Sequence, residues 1–294
     1  MRVARLSRAV ALAALLGGAA SAHADPNDLR IYKLGNPATE PSANGDFQAF
    51  ARTFGAALSS VNLMPPETLG HAGFSVNGEL TVARISSSTP LPTEGRSPTT
   101  VLMPSLHVRK GLPFSVELGA RSTWVEKSGM AAFTGEVKVA ITEGFTYLPD
   151  VGARLHATRL LGNRDFSLTT GGLDVGVGKQ FPIGGMVTLT PYGGLDLMGV
   201  AASANNVNFR PDRPGGDTLG PDAALADRAS YAPIGLTDHL MPRIYGGARF
   251  IGGVLQLGAE VSFTQVGSVA TGVGTESRSV PGVLTFNTTL GLDF

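Results

Sequence analysis

The sequence closes on Leu284-Thr285-Phe286-Asn287-Thr288-Thr289-Leu290-Gly291-Leu292-Asp293-Phe294. Leu284, Phe286, Leu290, Leu292 and Phe294 share one parity, and Thr285, Asn287, Thr289 and Asp293 share the other. A period of two puts these sets on opposite faces of a strand. The run is long. Soluble strands peak near about 5–6 residues, whereas a tilted strand needs about 9–11 to cross a bilayer.

The same alternation recurs upstream, from about residue 72. Residues 74–82 set Phe74, Val76, Leu80 and Val82 against Ser75, Asn77, Glu79 and Thr81. Leu102, Leu106 and Val108 oppose Ser105, His107 and Arg109, and Phe114, Val116, Leu118 and Ala120 oppose Ser115, Glu117 and Arg121. Phe133, Val137, Val139 and Ile141 oppose Thr134, Glu136, Lys138 and Thr142, and Val151, Ala153 and Leu155 oppose Asp150, Arg154 and His156. Further runs place Asp174, Asp196, Arg243, Arg249 and Glu260 on polar faces, with Tyr192 and Tyr245 beside them. The count is about ten strands, or twelve if residues 25–71 add a hairpin.

Connections alternate in length. Short turns near 110–113, 182–185 and 251–253 interleave with longer links at 86–99, 202–238 and 266–281. Links at 126–130 and 160–166 are short for the long side, and 143–149 is long for the short side. No stretch has 18 consecutive apolar residues after the first twenty-odd, so a membrane-spanning helix is not encoded there. A chain that crosses with strands must close them into a barrel, because only closure pairs every N–H and C=O in hydrocarbon.

The opposite end carries Arg2, Arg5 and Arg8, an apolar run from Ala9 to about Ala20, and Ala22-His23-Ala24. This is the layout of a secretory signal peptide over 1–24, cut before Asp25. Residues 25–71 form a lead with one short amphipathic helix, expected over 46–60 with Asp46 as N-cap and Phe47, Phe50, Ala51, Phe54, Leu58 and Val61 on one face. Pro65-Pro66 stops it. The helix either caps the barrel or lies on a membrane interface, or else enters the lumen as a plug. Without its leader the chain has 20 Lys+Arg (23 − 3) against 23 Asp+Glu, which excludes the basic surface a nucleic-acid partner needs. It has no cysteine, so disulfides and thiolate metal sites are excluded.

With these features the chain resembles bacterial outer-membrane β-barrel proteins as a class. The resemblance rests on the leader, the alternating strands of 72–294 and the terminal stretch, whose Leu290, Leu292 and Phe294 look like the signal read by the barrel assembly machinery. It implies an all-β, antiparallel up-and-down transmembrane barrel in the bacterial outer membrane, with outer-membrane lipid and that machinery as partners. Both chain ends would then lie on the periplasmic side. Phe114, Phe181, Phe250 and Phe294 would mark that rim, and Trp124 and Phe263 the external one.

Chemistry is sparse. Gly176-Val177-Gly178-Lys179 lacks the upstream glycine and the following Ser/Thr of a phosphate loop. His71, His107, His156 and His239 are too scattered for a metal site. Asp238-His239 ends the long loop, and omptin proteases share the ten-strand size, but strand neighbours point to opposite faces. No catalytic, cofactor or metal residue is assigned. The informative set is Glu79, Arg109, Glu117, Arg121, Glu136, Lys138, Arg154, Asp174, Asp196, Arg243, Arg249 and Glu260, six acids and six bases on inward faces. Either they fill the lumen as an ion-pair network, with Glu117 and Arg121 facing Glu136 and Lys138, or they line a narrow polar path. The expected function is non-enzymatic: structural, or a passage for small solutes. The alternatives are surface binding or adhesion through loop 202–238, and a hydrolase at the rim.

Overall fold

The computed structural model describes residues 25–185, 187–204, 206–211, 227–272 and 276–294; the leader, residues 1–24, and much of the 202–238 loop lie outside them. Ten long strands follow in order: β1 (Phe74–Arg84), β2 (Thr100–Leu112), β3 (Val116–Trp124), β4 (Ala131–Thr142), β5 (Asp150–Leu161), β6 (Ser167–Gly178), β7 (Val187–Ser203), β8 (Met241–Gly252), β9 (Leu255–Thr264) and β10 (Val283–Asp293). Each pairs antiparallel with its sequence neighbours, and β10 pairs with β1, from Ser75↔Asp293 to Arg84↔Leu284. Phe74 and Phe294 exchange both main-chain hydrogen bonds at 2.9 and 2.8 Å, which seals the seam at its lower end. The sheet is therefore a closed ten-stranded barrel with no free edge.

Polarity is reversed relative to a soluble core. Glu79, Arg109, Glu117 and Asp174 are buried inside, while Leu106, Phe133, Leu155, Leu195, Ile244 and Leu290 are exposed on the outer wall. Leu290, Leu292 and Phe294 share that outer face. Short turns after β2, β6 and β8 lie at the end where β1 begins and β10 ends; the links after β1, β7 and β9 lie at the other.

No hairpin comes from residues 25–71. They form a short 3-10 turn, Ile31–Leu34, and one helix, α1 (Ala43–Leu58). The helix starts three residues before Asp46; its N-cap is Ser42, which makes no side-chain capping bond, and Asp46 lies in the first turn. It ends well before Pro65-Pro66, and the chain from Ser59 to Glu67 runs on irregularly.

The placement of this segment corrects the expectation that both ends of the chain lie together. The lead sits at the long-loop end: Asn27 N–H donates to Lys127 O at 2.9 Å, and Arg30 N–H to Pro92 O. The helix runs down inside the barrel, and Thr68 then reaches Glu143 in the turn at the opposite end. The chain thus enters the lumen from the long-loop end, crosses it, and turns back into β1. Helix α1 is a plug, neither a bottom cap nor an interfacial helix. The reason is visible in its burial: Ala43, Phe47, Ala49, Ala51, Phe54 and Ala56 are all buried, and together they clothe the helix nearly all round. Phe47 stacks on Tyr231 at 4.6 Å between centroids and meets Phe166 edge-on at 5.9 Å, so external links close over the helix top.

Candidate functional site: the filled lumen

All twelve inward charges are buried in the lumen. Ten of them, with His107 and His156, form three linked groups. In the first, His107 places Nδ1 2.9 Å from Glu79 and Nε2 2.8 Å from Glu136, and Arg121 Nε lies 2.7 Å from Glu79. In the second, Arg154 bridges Glu136 at 2.8 Å and Asp174 at 3.1 Å, while His156 and Arg243 meet Asp196 at 3.2 and 3.4 Å. In the third, nearer the short-turn end, Glu117 joins Lys138 at 3.1 Å and Arg109 at 3.2 Å. The expected Glu117–Lys138 pairing is present; Arg121 turns to Glu79 instead. Arg249 pairs with Glu67 of the threaded segment.

These charges also hold the main chain of the plug. Arg243 donates to Ala56 O at 2.8 Å and Ser60 O at 3.0 Å. Arg121 and Arg154 donate to Val61 O at 2.9 and 3.3 Å, and Lys138 to Pro65 O at 3.3 Å. Glu260 accepts the Leu63 N–H at 2.8 Å, and Glu117 the Leu69 N–H at 3.0 Å. Cations take carbonyls and carboxylates take amides. A helix ends with unpaired carbonyls and a negative dipole end, so Arg243 stands where α1 needs it, while Arg121 and Arg154 hold the chain beyond the helix at Val61. Burying this many charges is tolerable because each has a polar partner: eleven stand in ion pairs, and Glu260 accepts from the Leu63 N–H and the Tyr192 hydroxyl.

Sequence reading passed over several members of this network. His107 and His156 are not metal ligands here: His107 bridges Glu79 and Glu136, and His156 meets Asp196. Tyr245 Oη donates to Asp174 at 2.6 Å and Tyr192 Oη to Glu260 at 3.2 Å. Their polar-face parity was the available signal. Ser60 and Glu67 gave none, because they lie in no periodic element. Among the described residues no group of three or more His, Asp or Glu is placed to hold a metal. At the loop end Asp238 accepts from its own turn at Gly235 N (2.6 Å), and His239 Nε2 bonds Val266 O (2.9 Å). The two side chains are engaged separately, and do not form an acid–histidine pair.

A closed wall, apolar outside and ionic within, is stable in one setting: a lipid bilayer. The fold is that of a transmembrane β-barrel of the outer-membrane type. Its longer links gather at one end, and exposed Phe114, Phe181, Phe250 and Phe294 lie at the other. No family model matches the sequence, and no curated protein matches it. Among solved structures it is similar to Neisserial surface protein A, with TM-score 0.31 and 14% identity over 75% of this chain and 95% of that one. It is also similar to the translocator domain of autotransporter NalP from Neisseria meningitidis (TM-score 0.36, 11% identity, 89% and 99% covered). A third is the outer membrane protease OmpT from Escherichia coli (TM-score 0.33, 9% identity, 80% and 98% covered). Likenesses this distant say nothing of activity.

Proposed function

We propose that this chain is a non-enzymatic, structural outer-membrane barrel that holds an ordered external head over a closed lumen. One observation carries the reading: the segment from Ala43 to Glu67 occupies the lumen and is bonded to the wall through its own main chain. A ten-strand barrel lies near the girth that side chains alone fill, at about eight strands, so a helix and a strand-like segment leave no continuous polar path. A solute passage would require the plug to leave. The hydrolase alternative loses its support with Asp238 and His239 tied to separate backbone partners.

Planar-bilayer recording tests this. Protein whose insertion is verified by heat-modifiable gel migration is expected to be electrically silent. Stepwise conductance from the full chain would overturn the closed-lumen reading.

A second reading, surface binding, has one observation in its favour. The external head is built: Tyr231 Oη donates to Gly35 O at 2.6 Å, and Lys33 Nζ bonds Thr93 O at 2.6 Å, tying lead to loops.

A further inference from the structure

The described chain begins at the external face, whereas a secretory leader delivers its product to the periplasm. Asp25 N–H donates to Asp28 Oδ2 at 2.9 Å, and the other oxygen of Asp28 accepts the Gly129 N–H at 2.8 Å. Asn27 adds two bonds to the same external link, to Lys127 O at 2.9 Å and Glu126 O at 2.7 Å. Arg30 Nε meets Glu94 at 2.5 Å on the neighbouring loop.

We propose that the mature amino terminus is extracellular: hydrolysis of the Ala24–Asp25 bond frees an Asp25 ammonium, the lead is carried outward within the closing barrel, and the Asp28 carboxylate binds the new charge against the 125–130 link. The inference rests on the signal-peptide reading of residues 1–24 and on the loop-bearing end being external. In the cut, water gives its hydroxyl to the Ala24 acyl carbon and its proton to the departing Asp25 nitrogen. That amine, with an ordinary pKa of about 7.7–8.0, is largely protonated at neutral pH. The donor 2.9 Å from the Asp28 carboxylate thereby changes from an amide into an ammonium, and the bond becomes an ion pair. The same carboxylate fastens the end of the chain to the wall link through Gly129, so processing and docking are joined at one side chain. Residues 43–67 lie in the lumen, so the path of the lead to the loop-bearing end runs through the barrel.

The chain has no cysteine, so single substitutions report topology directly. Ala38→Cys marks an exposed position in the lead, Ser87→Cys an external loop and Thr146→Cys a periplasmic turn. On intact cells a membrane-impermeant maleimide is expected to label Ala38→Cys to the same extent as Ser87→Cys, and Thr146→Cys only after the outer membrane is permeabilised. Intact-mass measurement of the purified chain is expected to give a terminus at Asp25. Labelling of Ser87→Cys but not Ala38→Cys would overturn the proposal and leave the barrel's orientation standing. Protection of both, with Thr146→Cys labelled, would overturn it together with the assignment of the external face. A chain that keeps residues 1–24 would overturn the processing step.

Discussion

Arg243, anchored on β8, donates to the carbonyl of Ala56 at 2.8 Å, within the last turn of α1. The wall of the barrel thus supplies the cationic cap that the helix's own sequence lacks, since no basic residue falls in its last turn. The same guanidinium reaches Ser60 O, and one side chain therefore spans the point where helix gives way to extended chain.

Replacing Arg243 should accordingly undo more than an ion pair. Arg243→Ala leaves Asp196 with a buried partner missing, removes the side-chain donor to Ala56 O, and leaves Ser60 O with the longer bond from Arg154, at 3.5 Å. Breaking a buried pair by removing one member costs about 3–5 kcal/mol. Unfolding by urea in lipid vesicles should show the midpoint fall accordingly. A midpoint unchanged from the parent would mean that the plug is not held by this contact.

Tyr245 owes its position to glycine. A Cβ on Gly176 would stand 2.7 Å from Tyr245 Oη, and one on Gly194 would stand closer still. At Gly176 that oxygen is the one close neighbour, the next atom being 3.7 Å away, so Gly176→Ala should destabilise by about 1–3 kcal/mol through overpacking. Adding Tyr245→Phe removes the clashing oxygen at the expense of the 2.6 Å bond to Asp174, so the double variant should be less unstable than the two single losses summed. A double-mutant cycle on unfolding midpoints reads this coupling; strict additivity would refute it.

At the end where β1 begins, Glu143 fastens the chain as it leaves the lumen. Burial alone would raise its carboxyl, but hydrogen bonds from the Ser115 hydroxyl and from the N–H and hydroxyl of Thr68 outweigh it and hold the group below its ordinary 4.5. A carboxyl depressed by folding stabilises the folded state above its unfolded value and loses that contribution as pH falls through the folded one. Glu143→Gln should flatten the acid limb of stability below about pH 5 and leave the neutral region little changed. Unfolding midpoints collected from about pH 6 to about pH 3 would decide it, and parallel acid limbs for parent and variant would count against the role.

Parity along the sequence made the barrel legible. One residue in two is apolar from Phe74 onward, and each strand's polar set turned inward together, so Arg154 and Asp174 could be assigned to the lumen before any coordinates. What parity does not carry is radial reach. Arg154 bonds Glu136 and Asp174 on the wall and also Val61 O on the axis, and nothing in strand periodicity encodes an axial partner. The plug was hidden for a related reason. Phe47, Phe50 and Phe54 would give the same amphipathic face to a membrane interface as to the Phe166–Tyr231 lid, so the helix was readable and its address was not. Pro65-Pro66 did not set the end of the helix: α1 stops at Leu58, and the irregular chain that follows runs past Tyr245, whose hydroxyl accepts from Asn62 at 3.2 Å.

The wall grips the threaded segment partly by peptide groups that every amino acid possesses, as at Val61 and Pro65, and partly by side chains, as at Ser60, Asn62 and Glu67. Variation between Ser59 and Leu69 should then be limited by chemistry at Ser60, Asn62 and Glu67, by the left-handed bend at Leu63, whose φ is 56°, and chiefly by volume at Val61 and Pro65. The enclosed segment should accept exchange where its main chain is held and resist it where its side chains are.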